Sequence, residues 1–272
     1  MEEIENKIID LIAQKKKAAI QVQTLGSFQI WRGKSKVNAK EWGRDTTSQL
    51  FQFFVTARHR RGLHKEQIID RIWPEVDSKA GQQNFKVSLH GLNKVLEPDR
   101  KSRTESQFII RQGLTYQLNI ENVWIDIEAL EQFIALGNQA LVDHPKLAQQ
   151  AYRQAIELHD GVYLPNRLYE DWSSEERERI QVLTLGAFIT LGELLLAENP
   201  MESIRLAQQA IFIDTAWEDA YRIQMEAYLR NGNRPLAIKT YQKCKKVLDQ
   251  EFGIEPLPET QQLLKKIKEI KT

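Results

Sequence analysis

Ser203-Ala207-Ala210 and Ala237-Tyr241-Cys244 share the spacing small-x-x-x-large-x-x-small, with Ala207 standing at the large position of the first, and the two triplets start 34 residues apart. A third copy of the pattern, Ala148-Tyr152-Ala155, stands further upstream. Each triplet follows a turn and lies on one face of a helical period. Small residues at such positions let paired helices approach closely, and stacked pairs bury one continuous core. This spacing therefore commits the second half of the chain to an array of helical hairpins.

Thirty-four residues is the length of a tetratricopeptide repeat. The stretch AYRIQMEAYLRNGNRPLAIKTYQ fits that repeat over its length, through Ala220, Ala227, Tyr228, Gly232, Ala237 and Tyr241. The copy before it keeps Leu191-Gly192 but is about one residue short before Ser203, and Ala207 replaces the usual large residue. Cys244 sits at a small core position and reads as a buried, inert thiol. As the one cysteine of the chain it excludes an internal disulfide and a cysteine-based zinc site.

The first half has another texture. Residues 1–19 read as a short helix with Ile4, Ile8, Leu11 and Ile12 on one side. IQVQTLGSFQIW then alternates apolar and polar residues between turns, which predicts short antiparallel strands. Three helices follow. Asp45, Thr46 or Thr47 is placed to cap the first, Leu50, Phe53, Phe54 and Ala57 face inward, and Gly62 stops it after Arg58-His59-Arg60-Arg61. The second runs from about His64 to Trp73, burying Ile69, Ile72 and Trp73, and Pro74 ends it. Asp77 or Ser78 caps the third, GQQNFKVSLHGLNKVLEP, with Phe85, Leu89, Leu92 and Leu96 inward. SQFIIRQGLTYQLNI predicts a β-hairpin with Gly113 at its tip. Strands, three helices and a terminal hairpin are the parts of a winged helix-turn-helix.

Charge divides the same way. Residues 20–120 carry 17 Lys/Arg against 9 Asp/Glu, a net of +8, and residues 121–272 carry 17 against 24, a net of −7. A basic segment suits a polyanion. On a helical wheel Gln83, Lys86, Val87, His90 and Lys94 share the wet face of the third helix, with no acidic residue before Glu97. Gln bonds bidentately to adenine, Lys donates to guanine and Val touches a thymine methyl, so the face suits a DNA major groove. Gln82 and Asn93 are further polar positions on the same helix. Lys79, Arg100, Lys101 and Arg103 bracket it as phosphate contacts, and Arg111 at the hairpin tip is placed to reach into the adjacent minor groove or to its phosphates.

Other classes are poorly supported. Glu175-Glu176 and Asp219-Glu226 lie on solvated-looking helix faces, and no nucleophile stands in a Ser/His/Asp or Cys/His setting. The histidines show no metal-ligand spacing such as HExxH, and no cofactor is expected. With no apolar run of 18 residues and no apolar signal region, the chain reads as cytoplasmic and without a membrane partner. The alternative to DNA reading is a scaffold whose acidic helical half binds a basic protein.

The chain from about residue 22 resembles the Streptomyces antibiotic regulatory protein family of transcriptional activators. The matching segments in the first half are LGSFQIWRG (25–33), HKEQIIDRIWPE (64–75), NFKVSLHGLNKVLEP (84–98) and GLTYQL (113–118). Those in the second half are VWIDIEALEQF (123–133), HDGVYLPNRLYEDW (159–172) and LDQEFGIEPLPETQQL (248–263). The resemblance implies an OmpR-like winged-helix domain over 20–120 and a bacterial transcriptional activator domain over 121–272. It implies binding to promoter DNA, often at direct repeats, and recruitment of RNA polymerase. Gln82, Gln83, Lys86, His90, Lys94 and Arg111 would read DNA, and the loop Pro74, Glu75, Val76, Asp77 and Ser78 would lie near polymerase. A second copy of the chain is a further partner. Asn93-Lys94 departs from the family's arginines, and lysine lacks their bidentate fork. Large family members carry an additional nucleotide-binding domain; no GxxxxGK[ST] occurs here, so nucleotide control within this chain is not expected.

Overall fold

The structure, a computed structural model, describes residues 2–101 and 103–270. It opens on α1 (Glu2–Lys17), acidic in its first turn and basic in its last, as the helix dipole favours. β1 (Ile20–Gln23) and β2 (Gln29–Arg32) pair antiparallel with Val22 opposite Ile30, and β3 (Ser35–Lys36) adds to β2. Then come α2 (Ala39–Trp42), α3 (Asp45–Thr56), β4 (Leu63–His64), α4 (Lys65–Ile72) and α5 (Ser78–Leu96). β5 (Ile109–Gln112) and β6 (Thr115–Leu118) form the hairpin, closed by Gly113-Leu114 with Gly113 at φ +61°. β7 (Val123–Ile125) lies parallel to β1. The remaining elements are helices: α6 (Asp126–Ala140), α7 (Pro145–Glu157), α8 (Asp171–Leu195), α9 (Pro200–Ile213), α10 (Glu218–Arg230), α11 (Arg234–Phe252) and α12 (Pro258–Glu269). The protein is thus a winged helix-turn-helix followed by a tetratricopeptide-like helical array. None of the described helices is long and apolar enough to cross a membrane.

The chain forms two compact units. One holds residues 9–129 and 160–180, and the other holds the residues up to 8, 130–159 and those from 181 onward. In the first, Leu50, Phe54, Ile68, Phe85, Leu92 and Leu118 bury their side chains between the three helices and the hairpin. Phe85 of α5 meets Tyr116 of β6 edge-on, with centroids 5.0 Å apart, so the hairpin is packed against the third helix. Gly81 makes the α4–α5 crossing possible: a Cβ there would lie 2.5 Å from Ile69 Cγ2.

Residues 160–180 complete this unit, and their contacts are polar as well as apolar. Asp126 accepts from Thr24 N and Oγ1, both at 2.6 Å, and from Leu25 N at 2.8 Å. Burial pushes its carboxyl above the ordinary range, and these donors oppose that shift. Leu25 bridges to Tyr163, whose hydroxyl lies 2.7 Å from Thr56 Oγ1. Arg167 is buried and holds both oxygens of Asp45, at 2.9 and 2.6 Å, with its Nε on Gln52. Trp172 stacks edge-on to Phe53 at 5.5 Å.

Several local expectations shift. Asp45, Thr46 and Thr47 do not cap α3: Arg44 is the N-cap, and Asp45 is already occupied by Arg167. The helix ends at Thr56, short of Gly62, and Arg58 turns inward. Its guanidinium is fully buried between Glu128 and Glu176, the latter at 2.6 Å. Asp77 does cap α5, accepting from Ala80 N at 2.9 Å. Leu89 is only half-buried, and Ser88 and Val95 complete the inward stripe instead. The short α2 and the strand β7 add to the strands and helices expected there.

In the helical unit the small residues do what their spacing requires. Ala148, Ala155, Ser203, Ala210, Ala220, Ala227 and Ala237 are all buried. A Cβ on Gly137 would sit 2.9 Å from the Tyr152 ring, and one on Gly192 would sit 3.1 Å from Ile223. Met225, Ala237 and Ile267 form a core under Tyr228, Tyr241 and Leu263. Cys244 is fully buried, and burial pushes its thiol up to about 12.

Candidate nucleic-acid interface

The third helix of the winged fold, α5, is amphipathic for a simple reason. Its apolar residues recur at a helical period and pack on α3, α4 and the hairpin, which leaves the polar arc outside. Lys79, Gln82, Gln83, Lys86, His90 and Lys94 are all exposed on that arc. None of the six makes a side-chain hydrogen bond or ion pair among the described residues. Val87 borders the arc and is half-buried. Glu97, the acidic residue at the end of the helix, is engaged elsewhere: it accepts from Ser106 Oγ at 2.5 Å and from Gln107 N at 3.1 Å. The arc thus offers long donors with no neighbouring carboxylate of its own.

Asn93 behaves differently. It is half-buried, and its Oδ1 is sealed from solvent without a hydrogen bond. Its amide oxygen is therefore closed to an outside partner. Arg103 is exposed, in a loop, at φ +69°. Lys101 is also exposed, whereas Arg100 is half-buried and donates to Thr104 O at 2.9 Å.

The hairpin is held in a fixed relation to the helix. β6 pairs with β4 as well as β5, Leu63 opposite Tyr116, and Lys65 N donates to Leu114 O at 2.9 Å. Arg111 is exposed, but its Nε donates to Gly113 O at 2.9 Å and its guanidinium lies 5.7 Å from the Tyr116 ring. Its Nη atoms remain the outward donors. The chain of contacts Arg111, Tyr116, Phe85 couples the hairpin tip to the centre of α5. Leu114, an apolar residue 55% exposed at the tip, was not singled out by the sequence, because exposure of one leucine leaves no periodic signal.

The loop Pro74–Ser78 is exposed throughout. Within it Asp77 has a structural task as the cap of α5, and Val76 is an exposed apolar side chain. The exposed cations Arg60, Arg61 and Arg71 extend the basic surface of the unit beyond the residues expected from the sequence.

Comparison with known proteins bears on this arrangement. The sequence matches the bacterial transcriptional activator domain over residues 125–268. No curated protein sequence matches it. Among solved structures, Mycobacterium tuberculosis EmbR, determined in complex with a low-affinity phosphopeptide, superposes with a TM-score of 0.79 at 16% identity. That match covers 92% of this chain and 65% of EmbR, so the chain spans about two-thirds of the length of that relative. The TPR2AB domain of yeast Sti1 gives a TM-score of only 0.29 at 12% identity, covering 83% of this chain and 98% of that one.

Proposed function

The chain belongs to the bacterial transcriptional activator domain family, and from that membership and the free donors on α5 we propose a DNA-binding transcriptional activator. The observation that carries the reading is the set of six exposed, unpartnered side chains on one arc of α5. Six donors in one arc, free of acidic neighbours, suit base edges and phosphates.

In this reading α5 enters the major groove of promoter DNA. Gln83, Lys86 and His90 face base edges, and Gln82 and Lys94 flank them. Lys79, Arg103 and Lys101 neutralise phosphates, and the Nη atoms of Arg111 reach the adjacent minor groove. Asn93 contributes less than its position on the wheel suggests, because its amide is partly sealed. The Pro74–Ser78 loop faces RNA polymerase, and two copies of the chain bind direct repeats.

Gel-shift titrations with promoter fragments test it. Gln83→Ala and Lys86→Ala should each weaken binding to the target sequence by about 1–3 kcal/mol, and random DNA by much less. Equal losses on both would reduce α5 to a charge patch. Affinity should fall steeply between about 50 and 200 mM salt, and a flat profile would exclude phosphate-driven binding.

A further inference from the structure

The winged-helix unit has a second concave feature, and reading DNA makes no use of it. A cleft of about 730 Å³ opens between the β1–β2 turn, the β3–α2 connection and the start of α3, with Pro165 and Asn166 on one wall. That volume falls in the range that holds a small organic ligand.

Two kinds of group line it. Phe28 and Trp42 are half-buried and present rings to the cleft, with centroids 5.8 Å apart, and the buried Phe51 lies behind both at 6.2 and 6.0 Å. Lys36 and Arg44 are exposed cations of the lining, and neither has a carboxylate partner among the described residues. Lys36 Nζ lies 5.9 Å over the Trp31 ring, a cation–π contact that steadies the ammonium without supplying a counter-charge.

The carboxylates nearby are already neutralised. Asp45, the acidic residue of the lining, has both oxygens on the Arg167 guanidinium. Glu41 of α2 accepts from Asn38 N at 2.8 Å and from Arg32 at 2.5 Å, which in that order hold its carboxyl below the usual range. An anion entering the cleft therefore meets two cations without carboxylate partners and no carboxylate that is not already paired. Two half-open rings offer the faces on which a planar group stacks.

We propose that this cleft binds a small aromatic phosphomonoester, of the size of a nucleoside monophosphate. Its ring stacks with Phe28 and Trp42, and its dianionic phosphate is held by Lys36 and Arg44. The charge match selects a dianion, and the rings select against inorganic phosphate alone.

Calorimetric titration of the full chain with AMP, adenosine and inorganic phosphate tests this without any DNA, so its result is independent of the DNA-reading proposal. AMP should bind at least about tenfold more tightly than adenosine or phosphate, since each of those lacks one half of the recognition. The double variant Lys36→Ala/Arg44→Ala, both on the surface, should bring AMP down to the affinity of adenosine with an unchanged thermal midpoint. Trp42→Phe should retain binding and Trp42→Leu should lose it; if Trp42→Leu fails to fold, the surface double variant decides. AMP binding no tighter than phosphate, no AMP binding at millimolar concentration, or AMP binding unaffected by the double variant would each overturn the proposal.

Discussion

At the scale of single residues, Arg58 carries more of the fold than its surroundings suggest. In the sequence it only begins the basic run Arg58-His59-Arg60-Arg61. In the structure its side chain is fully buried, paired with Glu128, 70 residues away, and Glu176, 118 residues away. No local pattern marks such partners, because periodicity reports only what a residue faces within its own element. Removing one side of a buried pair leaves an uncompensated charge, which costs about 3–5 kcal/mol. Arg58→Ala should lower stability in urea by that much, and Arg60→Ala, exposed two positions away, should change it by less than about 0.5 kcal/mol. Glu176 adds a pH dependence. Burial pushes its carboxyl up, but the hydrogen bond from Arg179 and the charge of Arg58 outweigh that and hold it below the usual carboxylate range. A carboxyl whose folded value is depressed stabilises the fold above its unfolded value, and that contribution is lost as pH falls through the folded value. Stability should therefore drop as pH is lowered from about 4.5, and Glu176→Gln should flatten that acid limb in pH-dependent urea melts.

At the scale of elements, α5 was legible to a large extent. The recurrence of Phe85, Leu92 and Leu96 marks its buried side, Asp77 its start, and the polar residues between them its exposed arc. What periodicity could not supply was the fine edge of that arc. Leu89 and Asn93 lie next to each other at its border, and neighbours outside the helix leave both half-buried. The start of α3 is likewise beyond periodicity: Asp45, a residue type able to cap, is taken by an arginine 122 residues further on, and Arg44 is the N-cap. Gly81 allows the element to be tested. Alanine at a helix interior is ordinarily favoured over glycine by about 1 kcal/mol. Here its methyl would lie 2.5 Å from the branched side chain of Ile69, and forcing such contacts costs about 1–3 kcal/mol. The packing cost is expected to win: Gly81→Ala should lower the thermal midpoint, and a raised midpoint would show that α4 and α5 can separate freely. The proposed DNA contacts should weaken with it, because α5 shifts as one body.

At the scale of the whole molecule, the division of the sequence by charge and period is not the division of the chain into compact units. Residues 160–180 follow helices of the second half in sequence, yet they belong to the unit that contains the winged helix. The motif HDGVYLPNRLYEDW is explained by this placement. Gly26 and Gly161 meet backbone to backbone: a Cβ on Gly26 would lie 2.3 Å from Asp160 O, and one on Gly161 would lie 3.2 Å from Gly26 Cα. Leu164 is fully buried at φ +43°, a conformation L-residues rarely adopt, and its N–H donates to Thr24 O at 2.9 Å. Tyr163, Arg167 and Trp172 then cover Thr56, Gln52 and Phe53 of α3. A fragment confined to 20–120 lacks these residues, and it also lacks β7 and the Asp126 carboxylate that accepts from Thr24 and Leu25. It would expose apolar surface equivalent to at least two large side chains, or about 3 kcal/mol or more. For a domain of about 100 residues that corresponds to a midpoint lowered by about 12–24 °C. Fragment 20–120 should therefore melt at least about 12 °C below the full chain, with reduced affinity for the same promoter fragment. The variant Tyr163→Ala/Trp172→Ala in the full chain should reproduce part of that loss with every residue of 20–120 present. A fragment that unfolds cooperatively at the temperature of the full chain would mean that these contacts decorate the winged helix without supporting it.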